Sequence, residues 1–226
     1  TEDFVNYPIS INNIIYSAKG VADLIPNTSE RCLDATLLTV YTWGHLCKAS
    51  ICGDGVIVRL RKDKYIDVTS VEFSSGAPLY LSYKCMTPGW AERYKSAFEY
   101  EKVVTRYTLN INGEIEDKYI EKQNILTEGN YSIDPFSVRE DFPIEDTVCV
   151  AVMTDGVHSF IKTKKEDTSI VMESIPADEI IRQVMAFKSY TGSFVQRRIG
   201  KLRKEFEKVN WTNTDDFSVA AVYLGE

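Results

Sequence analysis

The sequence predicts an α+β fold: a two-sheet antiparallel β-sandwich flanked by helices that cover its outer faces. Two observations point there. Cys32 to Leu60, Thr147 to Met153 and Phe217 to Leu224 are apolar stretches bounded by turn residues, as sandwich strands are. Segments of strand and helix character also cluster rather than alternate, which argues against a doubly wound parallel sheet. Length and composition agree with one self-folding domain over residues 1–226, since 44% hydrophobic and 26% charged residues are ordinary for a globular protein.

From Ile9 to Ile25 the residues Ile11, Ile14, Ile15, Ala18, Val21, Ala22 and Ile25 recur at helical spacing, and Pro26 ends the helix. Cys32 to Leu60 is rich in Leu, Val, Tyr and Thr and is broken at Trp43-Gly44-His45 and at Gly53-Asp54-Gly55. It reads as three antiparallel strands, with a further strand pair around Tyr65 to Phe73. The segment Ser74 to Asp146 mixes aromatics, charges and turn signals without a sustained period. Strands are expected there near Val103 to Ile111 and Tyr119 to Leu126, with Asn112-Gly113 as a type I′ hairpin turn. Trp90, Tyr94 and Phe98 stand at helical spacing and read as core packing.

Beyond Thr147 the pattern sharpens. VCVAVMT is a buried strand ending at Asp155-Gly156, helices are expected over Pro176 to Phe187 and Thr191 to Val209, and FSVAAVYL closes the chain as a strand. The basic stretch Arg197 to Lys208 alternates charge around Ile199, Leu202 and Phe206, which is the pattern of a solvated helix face with an apolar inner stripe.

Composition also excludes classes of function. A net charge of −7 disfavours nucleic-acid binding, which needs clustered Lys and Arg. No apolar run approaches the roughly 18 residues of a membrane span, and the start lacks the features of a signal peptide. Five cysteines without a Cys-x-x-Cys pair read as reduced core thiols, which predicts a cytoplasmic protein and disfavours zinc. There is no Gly-x-Ser-x-Gly elbow and no Walker-type phosphate loop.

Chemistry concentrates in three acidic turns at strand ends: Asp54 in CGDGVIV, Asp155 in VMTDGVHSF, and Asp215 with Asp216 in NTDDFSVAAVYL. Alone, an Asp-Gly is most often a turn. Strand ends, however, hold carboxylates rigidly, so acids from separate strands can converge on a hard divalent cation. Two such ions roughly 3.5–4 Å apart lower the pKa of a water and clamp a phosphoryl group.

The order and surroundings of these turns resemble the type 2C (PPM) family of metal-dependent protein serine/threonine phosphatases. There a strand pair around Gly-Asp-Ser-Arg precedes a strand ending in Ser-Asp-Gly, and a late Asp-Asn-x-Ser/Thr-Val leads into the final strand. The corresponding stretches are Gly53-Asp54-Gly55, Thr154-Asp155-Gly156 and Asp215-Asp216-Phe217-Ser218-Val219. The resemblance implies an α-β-β-α sandwich in which Asp155 and Asp215 bind a pair of Mg²⁺ or Mn²⁺ ions and Asp54 helps hold a further, weaker one. Gly53, Gly156 and Asp216 then border the site. It further implies a phosphoprotein or phosphopeptide substrate attacked by a metal-bound hydroxide. Three departures stand out: Gly55 in place of Ser, Val56 in place of Arg, and Asp216 in place of Asn. The family's first strands, with their own metal-binding Asp-Gly, are expected upstream of Thr1. Without them, the alternative is a catalytically inactive pseudophosphatase that binds proteins. His158, three residues beyond Asp155, is a candidate acid for the leaving group, whereas His45 falls in a hairpin turn.

Overall fold

The computed structural model describes residue 20 and residues 35–74, 76, 78–80, 101–124, 137–166 and 169–225. The expected helix over Ile9 to Ile25, apart from Gly20, the Trp90-Tyr94-Phe98 series, Cys32 and Cys85 lie outside them. The three strands expected within Cys32 to Leu60 are β1 (Leu37–Trp43), β2 (Leu46–Cys52) and β3 (Gly55–Arg61). Tyr65 to Phe73 forms one strand, β4 (Ile66–Phe73), rather than a pair; it lies between β3 and β5 (Glu101–Leu109), the latter from the stretch that showed no period. There follow β6 (Ile115–Asn124), β7 (Ser137–Pro143), β8 (Thr147–Met153), β9 (Phe160–Glu166) and β10 (Ser169–Ser174). Two helices, α1 (Ala177–Met185) and α2 (Phe194–Lys208), precede β11 (Trp211–Asn213) and β12 (Val219–Tyr223).

Antiparallel sheets dominate. Six strands run in the order β12-β8-β3-β4-β5-β6, three in the order β1-β2-β7, and three in the order β10-β9-β11. Alternation along the central strands decides what each face meets. Ile57, Val71, Val104, Val150 and Val152 point one way and join Cys47, Ala49, Ile51 and Val138 of the β1-β2-β7 sheet in one core. Val56, Val58, Val68, Ala151 and Met153 point the other way, against Ile180, Ile181 and Val184 of α1 and Leu202 and Phe206 of α2. This is a two-sheet sandwich with helices on one outer face among the described residues. The basic helix behaves as its pattern predicted, with Leu202 and Phe206 buried and Arg203, Lys204 and Glu207 exposed.

The hairpin at Asn112-Gly113 exists but is not of type I′. Gly113 has φ 85° while Asn112 stays at negative φ, and Gly113 N donates to Asn110 O at 2.9 Å. Asn110 Oδ1 accepts from the N–H groups of Asn112 and Glu114, so the side chain of Asn110 rewards a type I turn followed by a left-handed glycine.

Candidate functional site

The central sheet brings the three acidic turns to one end. Met153, the last residue of β8, lies opposite Val56 at the start of β3 and opposite Val219 at the start of β12. The turn before β3, the turn after β8 and the turn before β12 therefore share a rim. Asp54, Asp155 and Asp215 belong to those three turns.

The turns are also joined by backbone. Gly55 has φ 136°, and a Cβ there would stand 2.7 Å from Met153 O, so the position that carries Ser in the resembling family needs glycine here. Thr154 binds the β8 turn to the β12 turn three times. Its N–H donates to Ser218 O at 3.1 Å, its Oγ1 donates to Asp216 O at 3.0 Å, and Ser218 N donates to Oγ1 at 2.9 Å. Gly156 lies directly against Asp216 and Phe217, leaving no room for a side chain. Thr214 donates its N–H and its Oγ1 to Ser159 O, each at 3.2 Å, which anchors the approach to Asp215.

Asp155 opens a short 3₁₀ turn, Asp155–His158, in which Val157 N donates to Thr154 O at 3.2 Å. Burial, then the charge of Asp54, then that of Asp215 hold its carboxyl above the usual carboxylate range, while backbone N–H groups of Gly156 and Asp155 itself pull partly the other way. Of the two neighbouring charges, that of Asp54 acts on Asp155 more strongly than that of Asp215. Asp54 is half-buried and accepts a hydrogen bond from Thr36 Oγ1 at 2.7 Å, with Gly53 packed on the same Thr36. Asp215 is exposed, and its Oδ1 accepts from the N–H of Asp216 at 2.7 Å; the Asp216 side chain is itself exposed.

His158 turns toward β4. Its Nε2 stands 3.4 Å from Ser70 Oγ and 3.6 Å from Glu72 Oε1, so its contacts are with these two residues. Sequence reasoning missed Thr36, Thr154, Ser70 and Glu72. Thr154 alone carried a signal, as a hydroxyl residue directly before a turn.

The donors are carboxylate oxygens on rigid strand ends, which is the chemistry Mg²⁺ and Mn²⁺ take. Among the described residues, no three His, Cys, Asp or Glu side chains gather closely enough to hold a metal ion. The two facts are compatible. Coulombic influence reaches farther than the roughly 2.0–2.6 Å of a metal–oxygen bond, so carboxylates act on one another without standing at ligand spacing. Searches against protein-family models, curated proteins and solved structures returned no match to this chain.

Proposed function

We propose that this chain is a phosphatase domain of the type 2C kind, removing phosphate from Ser or Thr side chains of phosphoproteins with the help of Mg²⁺ or Mn²⁺. The observation that carries this reading is the common rim of Asp54, Asp155 and Asp215, where burial and then the charges of Asp54 and Asp215 push the Asp155 carboxyl upward. Carboxylates brought together at a cost to their own ionisation are characteristic of functional sites. In this reading Asp155 and Asp215 hold the principal cations and Asp54 a further one. A bound divalent cation supplies positive charge that offsets the phosphate and lowers the pKa of water.

The residues of the chain have the complementary task of holding that geometry. Thr154 fixes the spacing between the Asp155 and Asp215 turns through its three hydrogen bonds, and Gly156 lets the Asp216 backbone approach. His158, at the end of the turn that Asp155 opens, has Ser70 and Glu72 as its partners.

The test is calorimetric Mn²⁺ titration of the full-length protein together with hydrolysis of a phosphothreonine peptide. Binding and turnover are expected, and Asp155→Asn should lower turnover by about a hundredfold or more. Mn²⁺ binding and peptide binding without turnover would instead favour the protein-binding pseudophosphatase. Absence of Mn²⁺ binding would sink the metal site.

A further inference from the structure

In the sheet ordered β10-β9-β11, β9 is flanked on both sides, and the far edge of β10 has no strand beside it among the described residues. Proteins ordinarily blunt such an edge with charge, proline, a bulge or a covering element. β10 lacks these guards over most of its length. Its register with β9 runs unbroken from Ser169 to Ser174, it contains no proline, and its single charge, Glu173, comes next to last. Ahead of Glu173 stand Ile170, Val171 and Met172, which are 68%, 40% and 67% exposed. The residues opposite them on β9 are Lys165, Lys164 and Thr163, so the hairpin offers them no apolar partner.

Charge and register narrow the choice of what covers this edge. Glu173 pairs with Lys164 of its own chain at 3.0 Å, so the edge presents apolar side chains and backbone groups but no uncompensated charge. A strand that matches it is apolar and uncharged at three successive positions, and β10 is itself such a strand. A two-fold axis normal to the sheet pairs antiparallel strands with every side chain kept on its own face, so the pairing centres on one residue. Centred on Val171, it sets Ile170 of each copy opposite Met172 of the other and brings the two Val171 residues together. Centred on Met172, it would set Val171 against Glu173; centred on Ile170, it would carry Met172 past the start of the other copy's β10. The register on Val171 alone gives all three apolar residues an apolar opposite.

We propose that two copies of this chain associate through β10, antiparallel and centred on Val171, joining their three-stranded sheets into one continuous sheet. Each copy has one such edge and pairing consumes it, so assembly closes at the dimer. Six residues a side fall well short of the roughly 20–30 a side of a standard interface, so dimer and monomer exchange with concentration. The association does not depend on the phosphatase reading.

Sedimentation velocity of the full-length protein, from micromolar to millimolar concentration, should show monomer giving way to dimer. Met172→Lys plants a guarding lysine on the edge at an exposed position; it should raise the dissociation constant about tenfold and leave the melting temperature unchanged. Cysteine pairs read the register. Val171→Cys sets two thiols opposite each other with Cα atoms about 4.5–5.5 Å apart, within disulfide reach, whereas Ile170→Cys and Met172→Cys leave like residues about 7–8 Å apart. Mild oxidation should therefore cross-link Val171→Cys about tenfold more than either of the other two, above the level of wild type. Mixing Ile170→Cys with Met172→Cys should restore the cross-link, because these two residues stand opposite each other. The proposal is overturned if wild type stays monomeric throughout, which would leave β10 to a strand of another protein. It is equally overturned if Val171→Cys cross-links no more than Ile170→Cys.

Discussion

A Cβ on Gly156 would stand 2.2 Å from Asp216 O and 2.7 Å from Asp216 C, so the turn after β8 and the turn before β12 touch with no space between them. Both contacts are with backbone, which cannot swing aside as a side chain would. Gly156→Ala should therefore push the two turns apart, costing about 1–3 kcal/mol of stability and weakening Mn²⁺ binding in the same protein. Denaturant unfolding measures the first effect and calorimetry the second.

Thr154→Val keeps the shape of the side chain and removes its hydroxyl. Ser218 N then loses its acceptor and Asp216 O one of its donors. A loss of about 1 kcal/mol is expected for each unmade bond that water does not replace. Thr154→Ser, which keeps the hydroxyl, should recover most of that stability. If Val and Ser variants are equally stable, the hydroxyl has no part in joining the turns.

The Asp155 carboxyl is held high by burial and by the charges of Asp54 and Asp215. Folded chain therefore keeps this proton more tightly than unfolded chain. Stability contributed by the protonated form is lost as pH climbs from the ordinary carboxylate range to the raised value, and the deficit persists above it. In metal-free protein Asp155→Asn should melt higher than wild type at neutral pH, with the difference vanishing in acid. Adding Mn²⁺ should raise the wild-type melting temperature and leave that of the variant nearly unmoved. Melting curves across pH, with and without Mn²⁺, check both statements.

Cys47 and Cys149 are free and buried, Cys52 is buried as well, and burial pushes the Cys47 thiol up to about 11 and the Cys149 thiol up to about 12. Thiolate is the reactive form, so both should be alkylated at least about a hundredfold more slowly in native than in unfolded protein at pH 8. Mass spectrometry of native protein treated with iodoacetamide without reductant reads each site. Detection of a disulfide involving Cys47 or Cys149 would contradict the structure.

Ile180 is fully buried where α1 meets the central sheet. Ile180→Ala should cost about 2–5 kcal/mol, depending on how far the site collapses.

Strands whose two faces are both buried were readable because they are continuous apolar runs: Thr147 to Met153 emerged with the expected bounds. The late helices were readable because Ile180, Ile181 and Val184 in one, and Leu202 and Phe206 in the other, recur at helical spacing. β7 was not, since SVREDFP carries Arg139, Glu140 and Asp141 in its middle. Those charges are accommodated by long-range pairs: Glu140 accepts from Arg106 Nε at 2.8 Å, and Asp141 from Lys48 Nζ at 2.6 Å. No local pattern reveals a partner that distant. The exposed hairpin β9-β10, with Lys162, Lys164 and Met172, escaped for a similar reason: it lacks the apolar continuity of a core strand. The three aspartates were found because each sits beside a turn, whereas their shared rim depends on strand order, which only pairing determines.

β8 is flanked by β3, made long before it, and by β12, made long after it. Until β12 has emerged from the ribosome, one hydrogen-bonding edge of an almost wholly apolar strand has no mate, and such edges invite pairing with other chains. The rim of acids is assembled in the same closing step, because Asp215 arrives on the segment that seals that edge. Contacts this far apart in sequence make for slow folding. Acquisition of the complete acidic cluster is thus a report that the sheet has closed, and a nascent chain lacking β12 has neither the cluster nor a protected strand.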